Sequence, residues 1–444
     1  MNTTIRLFVF AVLISFSHAS NAQQVNTSAT SPVRTCGSGV LGEEFEEWLQ
    51  PLLRSNASSA TQRGASTVYT IPVVFHVIHT GTNPGISYNI SDAQILSQLD
   101  VLNADFRKLN ADTATIPSVF APVAADCEVN FCLAQRDTAG NATNGINRIN
   151  INTITATPPS LPYDKTFIDG TVKPATIWNV LNYLNIWVVP NMASGATQLL
   201  GYATFPAGSG LTGLSAPYGN GLTDGVVLWY RCTGKVGNLD PSYNKGRTAT
   251  HEVGHWLGLR HIWGDNNCGN DYCSDTPTQQ TANFGNPVFP STSNCLNNAP
   301  NGDMFMNYMD YCNDVSLKMF SLQQRVRVQT VLQNAPIRVA QRNSNACTPP
   351  VAGIDNADPS LRLTVFPNPA QSIVSVQWTA ISQLEIDRVV VRNMLGSEVA
   401  SEGINGIANS GQIDFNTEQL PAGVYFIELA GPRVYRSERF LVIH

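Results

Sequence analysis

The stretch "HEVGHWLGLRH", His251 to His261, constrains this chain more than any other. On a helix, His251 and His255 stand four apart and share one face, so both imidazoles can reach one ion. Glu252 lies beside them, within reach of a water on that ion. Gly258 lets the chain leave the helix through a backbone conformation costly for other residues. The turn that follows brings His261 back as a third ligand. Three neutral imidazoles leave one position open on a tetrahedral Zn²⁺, the pattern of a catalytic rather than a structural site. Water there becomes acidic enough to yield hydroxide near neutral pH. Chance is a poor rival: five fixed positions would arise in a chain of this length with odds on the order of 10⁻⁵.

The first residues set the compartment. "MNTTIRLFVFAVLISFSHASNAQQ" has one positive charge, an apolar run from Leu7 to Phe16 and small residues up to Ala22. This predicts a signal peptide over 1–22, cut after Ala22. The apolar run is too short to span a membrane, and no later segment is long and apolar enough. The chain is therefore expected outside the cell, where disulfides form. A net charge of −6 argues against nucleic acid as a partner, because phosphate binding needs a basic surface.

The polar segment 23–66 holds one amphipathic stretch, "EEFEEWLQPLLR", and reads as a pro-segment rather than part of a core. From 67 to 346 strands and helices alternate, which predicts an α/β domain. Thr67–His79 is its first strand, and "SDAQILSQLDVLNADFRKLN" is a helix capped by Ser91 or Asp92. "TIWNVLNYL" reads as a short helix, and "LGYATFP" and "DGVVLWY" as a strand pair before the histidine helix. Within the first strand, His76 and His79 alternate to opposite faces and suit structural roles. A linker is expected over 347–360. Residues 361–444 then carry short alternating strands, among them "SIVSVQW" and "DRVVVRNM", as in a small all-β sandwich.

The histidine stretch resembles the signature of the metzincin metallopeptidases. With "SDTP" and "MNYMDY" it is similar to the pappalysin family, in particular its bacterial cytophagalysin-like branch. The resemblance implies a twisted sheet with the zinc helix below it, and an endopeptidase activity on peptide or protein substrates. It makes Met309 the methionine of a turn beneath the metal, and Tyr311 a neighbour of the zinc that donates to the oxyanion. Glu252 becomes the general base. Substrate would lie extended beside an edge strand, for which Leu199–Pro206 is the candidate. The resemblance also implies calcium near "GNDYCSDTP", with Asp271 and Thr276 as ligands and Asp265 a weaker one. Some relatives prefer a basic residue after the scissile bond. Asp314 is a candidate for the acid that would read it, although Val315 fills the place where that acid is expected. "VFPNPA", "LPAGVYFIEL" and "RFLVIH" resemble the type IX secretion sorting domain, which implies a Bacteroidetes-type bacterium and contact with that machinery. A retained binding module, with Trp378 and Tyr425 as platforms or as core residues, is the alternative for this tail. For the whole chain the alternatives are a surface adhesin on a protease scaffold and a zinc hydrolase of a non-peptide amide.

Nine cysteines leave one without a partner. Cys268, Cys273, Cys295 and Cys312 cluster, and we favour Cys268–Cys295 with Cys273–Cys312 among three pairings. Cys127, Cys132, Cys232 and Cys347 would form further bridges of unassigned pairing. Cys36 remains, in "RTCG", which resembles the cysteine switch of metzincin zymogens. Its thiolate would take the fourth zinc position until the segment is cut after Arg54 or Arg63.

Overall fold

The computed structural model describes residues 33–59, 67–206, 221–350, 361–394, 396–431 and 435–444. The expected signal peptide, Arg63 and residues 351–360 of the expected linker lie outside them. Strand β1 (Tyr69–His79) is the spine of the larger domain. Every residue from Ile71 to Ile78 is buried, because both faces of the sheet are covered. Ile71, Val73, Phe75 and Val77 enter one core with helix α2 (Asp92–Phe106) and the histidine helix α3 (Arg247–Trp256). Ile78 enters the opposite core with Trp187, Val227 and Trp229. Strands β2 (Val129–Leu133) and β3 (Ile146–Asn150) pair in parallel with β1 along one edge, and β4 (Leu184–Val189) along the other. Next comes β6 (Val226–Trp229), also parallel, and β5 (Gly201–Ala203) ends the sheet antiparallel to it. That edge faces α3.

The Ser91 hydroxyl caps α2 by accepting from Gln94 N at 3.2 Å. His76 is buried, donates from Nε2 to Asn185 Oδ1 (2.8 Å), and stacks on Trp187, a structural placement. The stretch "TIWNVLNYL" departs from its expected helix: only its first residue, Thr176, is helical, as the end of Lys173–Thr176, and the chain then turns. Asparagine side chains compete with the helix there. Asn185 Oδ1 accepts from Trp178 N at 2.8 Å, and Asn179 Oδ1 accepts from Leu181 N at 3.0 Å.

The pro-segment also differs from expectation. Its helix α1 (Glu43–Ser59) is not a solvated leader but buries Phe45 and Leu49, with Leu41, against Phe205, Val331 and Ala335. Val331 belongs to α4 (Leu322–Asn334), and α5 (Pro336–Arg342) follows. Among the described residues no helix is long and apolar enough to cross a membrane.

Strands β7 (Arg362–Phe366), β8 (Ile373–Asn393), β9 (Glu398–Asn416), β10 (Gly423–Ala430) and β11 (Tyr435–Val442) build the C-terminal β-sandwich. The two runs expected as separate strands are one, β8, with register shifts after Thr379 and after Ile386. Its first part pairs with β7 and its last part with β10, so one strand serves two neighbours around a shared core. Trp378 and Tyr425 are buried in that core, which leaves no aromatic platform at either position.

Cys268 is bonded to Cys295, and Cys132 to Cys347, the latter tying β2 to the end of the domain. The expected Cys273–Cys312 bridge is absent. Both thiols are free and buried, in different surroundings: Cys273 beside Asp271 and Arg327, Cys312 beside Asp310 and Arg34. Cys127 and Cys232 are free and buried as well.

Candidate active site and metal centre

Helix α3 starts at Gly246 (φ 73°) and delivers His251, Glu252 and His255, all buried, to the floor of a cleft beneath β5. The chain leaves the helix at Gly258, whose φ of 86° suits glycine and whose missing Cβ would stand 3.0 Å from both Phe45 and Val331. His261 then returns to its two partners. His255 Nε2 lies 3.1 Å from His251 Nε2 and 3.0 Å from His261 Nε2.

The opposite ring nitrogens decide what those Nε2 atoms carry. His251 Nδ1 donates to Tyr308 O (2.7 Å) and His255 Nδ1 to Leu259 O (2.9 Å), since a carbonyl can only accept. His261 Nδ1 meets the Asp265 carboxylate. Burial and the neighbouring imidazoles keep His251 far below the usual histidine range, and burial holds His255 at about 3. His251 and His255 are thus neutral with a lone pair on Nε2, and two lone pairs facing each other at 3.1 Å repel unless a cation lies between them. Ligand atoms of Cys36, His251, His255 and His261 all fall within 4.8 Å of one another, which fits a tetrahedral metal ion.

Met309 is fully buried beneath the histidines in the turn Asn307–Tyr311, shaped by Asn307 Oδ1 accepting from Met309 N at 2.9 Å. The Tyr311 ring packs on His251 and His261, and its hydroxyl accepts from Cys36 N at 3.4 Å. Enclosure, with the neighbouring Cys36 and Glu252 charges, pushes the Tyr311 phenol well up, so it stays a proton donor. Burial likewise raises the Glu252 carboxyl to about 7.

Residues 34–38 run through the cleft beside the edge expected at Leu199–Pro206. Gly37 N donates to Gly201 O (2.9 Å), and Leu200 N to Thr35 O (3.1 Å), in a parallel bridge at Cys36. Cys36 Sγ donates to Glu252 Oε2 at 3.2 Å, and Ser38 Oγ donates to the same oxygen at 3.1 Å. Arg34 fills a pocket beside the metal ligands. It meets Asp314 Oδ1 at 2.6 Å, while Lys245 N and Arg247 N donate to Asp314 Oδ2. Asp314 is fully buried and Val315 is half exposed, so Asp314 is the acid in this pocket.

In the loop 269–277, Asp271 is buried and its carboxyl is pushed up to about 7 by that burial. Thr276 Oγ1 lies 2.9 and 2.8 Å from the two Asp271 oxygens and 2.7 Å from Cys273 O. With Asp271 ionised, the one hydroxyl proton would face three acceptors, a grouping of oxygens that could hold a hard cation. Asp265 stands elsewhere: it holds the third histidine and is not part of this group.

Four contributors have roles that the sequence motifs did not assign. Asp265 orients His261, and Trp263 stacks on the same ring at 4.3 Å. A Cβ at Gly254 would meet Met309 Sδ at 2.5 Å, and one at Gly201 would meet Glu252 Cγ at 2.8 Å. Gly254 was legible as a poor helix former between two ligands. Gly201 carried no local signal, because its partner lies on another element.

Comparison with known proteins agrees with this geometry. The family profile described as Pregnancy-associated plasma protein-A, a peptidase M43 family, matches residues 168–333, and a secretion system C-terminal sorting domain matches 364–443. An extracellular metalloprotease of Colletotrichum graminicola is 32% identical over 67% of this chain and 89% of that protein. Mature mirolysin of Tannerella forsythia, solved with a cleaved peptide, is 43% identical over 63% of this chain and 97% of its own (TM-score 0.53). A promirolysin variant from the same organism is 40% identical over 70% and 97%, with a TM-score of 0.55. The chain belongs to the pappalysin family of metallopeptidases: it is a secreted metalloendopeptidase, made as a zymogen and exported by type IX secretion through its C-terminal domain.

Proposed function

We propose that the metal is one zinc ion held by His251, His255 and His261, and that the enzyme cuts extracellular proteins before basic residues. The three convergent Nε2 atoms carry this reading. Zinc supplies Lewis acidity toward a peptide carbonyl and toward a water. Glu252 takes a proton from the attacking water and returns it to the leaving amine. Tyr311 donates its hydroxyl hydrogen to the carbonyl oxygen as that oxygen gains charge. Gly201 gives the Glu252 carboxylate its room against the edge strand. That edge already exchanges main-chain bonds with residues 35–37, which supports an extended substrate there. The buried Asp314 selects a basic side chain, as its grip on Arg34 suggests.

In the precursor, Cys36 would supply the fourth ligand to that metal. Enclosure and the Glu252 carboxylate push its thiol well above the usual range, so a thiolate there needs the cation's charge. A calcium ion at Asp271, Thr276 and Cys273 O stiffens the loop between the zinc ligands and the methionine turn. We assign 1–22 to a signal peptide, 23–66 to the pro-segment, 67–346 to the catalytic domain, 347–360 to a linker and 361–444 to the sorting domain. An adhesin on this scaffold is not favoured, since binding alone would not need Glu252 beside three ligands.

The test is to activate the purified precursor, strip it with a chelator, and restore it with single metals while reading a peptide-library cleavage profile. Recovery with stoichiometric zinc and cuts before Arg or Lys are expected. A profile indifferent to basic residues would remove Asp314 from its role, and activity independent of metal would remove the mechanism.

A further inference from the structure

We propose that helix α1 is a docking element in its own right, so that the pro-segment stays bound as a non-covalent inhibitor after the activating cut. This rests on the zymogen reading and adds where the affinity lies. Leu41, Phe45 and Leu49 are at most 2% exposed, in a groove floored by Phe205, Val331 and Ala335. Between them Glu46, 3% exposed, accepts from Arg327 at 2.9 and 2.7 Å and from Arg260 at 3.0 Å. Arg327 also donates to Gly258 O at 3.1 Å, at the turn that sends His261 back to the metal. Arg260 donates to Gly42 O at 3.1 Å.

The chain between the cleft and the helix is lightly held, with Val40 60% exposed. The two candidate cutting points, Arg54 and Arg63, both follow the anchoring residues in sequence. A cut at either point breaks a tether but none of the contacts at Arg34, Cys36, Ser38, Phe45, Glu46 or Leu49. What it removes is effective concentration, which holds the segment in place only while the chain is continuous. Once the segment leaves, Arg260 and Arg327 are left beside an apolar groove without their carboxylate. That surface fits an amphipathic helix with one acidic residue, and the occupant it is built for is residues 33–59 of this chain.

Fluorescently labelled synthetic peptides of residues 33–59 would be titrated into the activated enzyme and followed by anisotropy, with inhibition of cleavage in parallel. The parent peptide should bind and inhibit. Glu46→Ala should weaken binding by about 100-fold, because two buried guanidinium groups lose their partner. Cys36→Ala should cost less than Glu46→Ala in anisotropy. Absence of binding by the parent peptide, or a larger loss for Cys36→Ala than for Glu46→Ala, overturns the proposal. The cysteine switch is judged separately by the activation time course of the Cys36→Ala precursor, which anisotropy does not enter.

Discussion

The histidine cluster and the Asp271 loop are two places where donor atoms crowd together with too few protons. They differ in how the crowd is assembled. Around the metal, three nitrogens come from α3 and the turn after it, and their far sides are fixed by Tyr308, Leu259 and Asp265. In the loop, the oxygens of Asp271, Cys273 and Thr276 lie within six residues of sequence. The first site is held by the whole domain and presents imidazole nitrogens to a reactive position. The second is held by its own turn, where Cys273 N and the Thr276 hydroxyl meet the Asp271 carboxyl, and its hard oxygens would suit only a cation such as calcium. Removing the first cation should therefore abolish chemistry with a modest effect on the fold. Removing the second should loosen the fold and slow the chemistry only indirectly.

The largest effect expected is from His255→Ala. Bound metal and peptide cleavage should vanish together, read by elemental analysis and turnover; cleavage that persists would break the contrast at once. Glu252→Ala should lower kcat by about 10²–10⁴-fold while metal content stays stoichiometric, separating the base from the ligands. Tyr311→Phe should cost about 10²-fold in kcat with little change in KM, as for loss of one oxyanion donor. At the oxygen site, Asp271→Asn should leave the zinc content intact and lower Tm by about 2–4 °C for each kcal/mol lost, with the difference from the parent erased by a calcium chelator. A chelator-insensitive Tm in the parent would remove calcium from the loop.

The smallest effect concerns what covers the first site. Burial alone would raise the Glu46 carboxyl, but the hydrogen bond and charge of Arg327, with Gln50 and Arg260, outweigh it and pull it from the usual 4.5 to about 2. A carboxyl lowered in the bound state stabilises that state above its ordinary value and loses the contribution as pH falls toward the lowered one. Binding of residues 33–59 should therefore weaken between about pH 4.5 and 2 in excess of a Glu46→Gln control. Parallel curves for the two would place the acid effect elsewhere.

Much of the metal site was legible because its rules are local. Helical spacing puts His251 beside His255, and a glycine after the helix forces the return that brings His261 in. The role of Asp265 was misjudged because its partner is decided by the turn geometry after Gly258 and not by the acidic look of the sequence. The Cys273–Cys312 pairing failed for a related reason: closeness in sequence clustering says nothing about which way two buried thiols face. In the C-terminal domain alternation marked the strands correctly, yet it could not show that two runs are one continuous β8 that bends at register shifts.

By itself the sequence determined the chemistry: three imidazoles, a carboxylate, a thiol near the start and a sorting domain at the end. Only the tertiary structure decided the partners. Arg34 meets Asp314 across 280 positions, Glu46 meets Arg327 across 281, and Gly201 makes room for Glu252 on a different element. A helical period is written in neighbouring residues, whereas a contact between distant ones exists only once the sheet and helices have packed and fixed which buried charges must find each other.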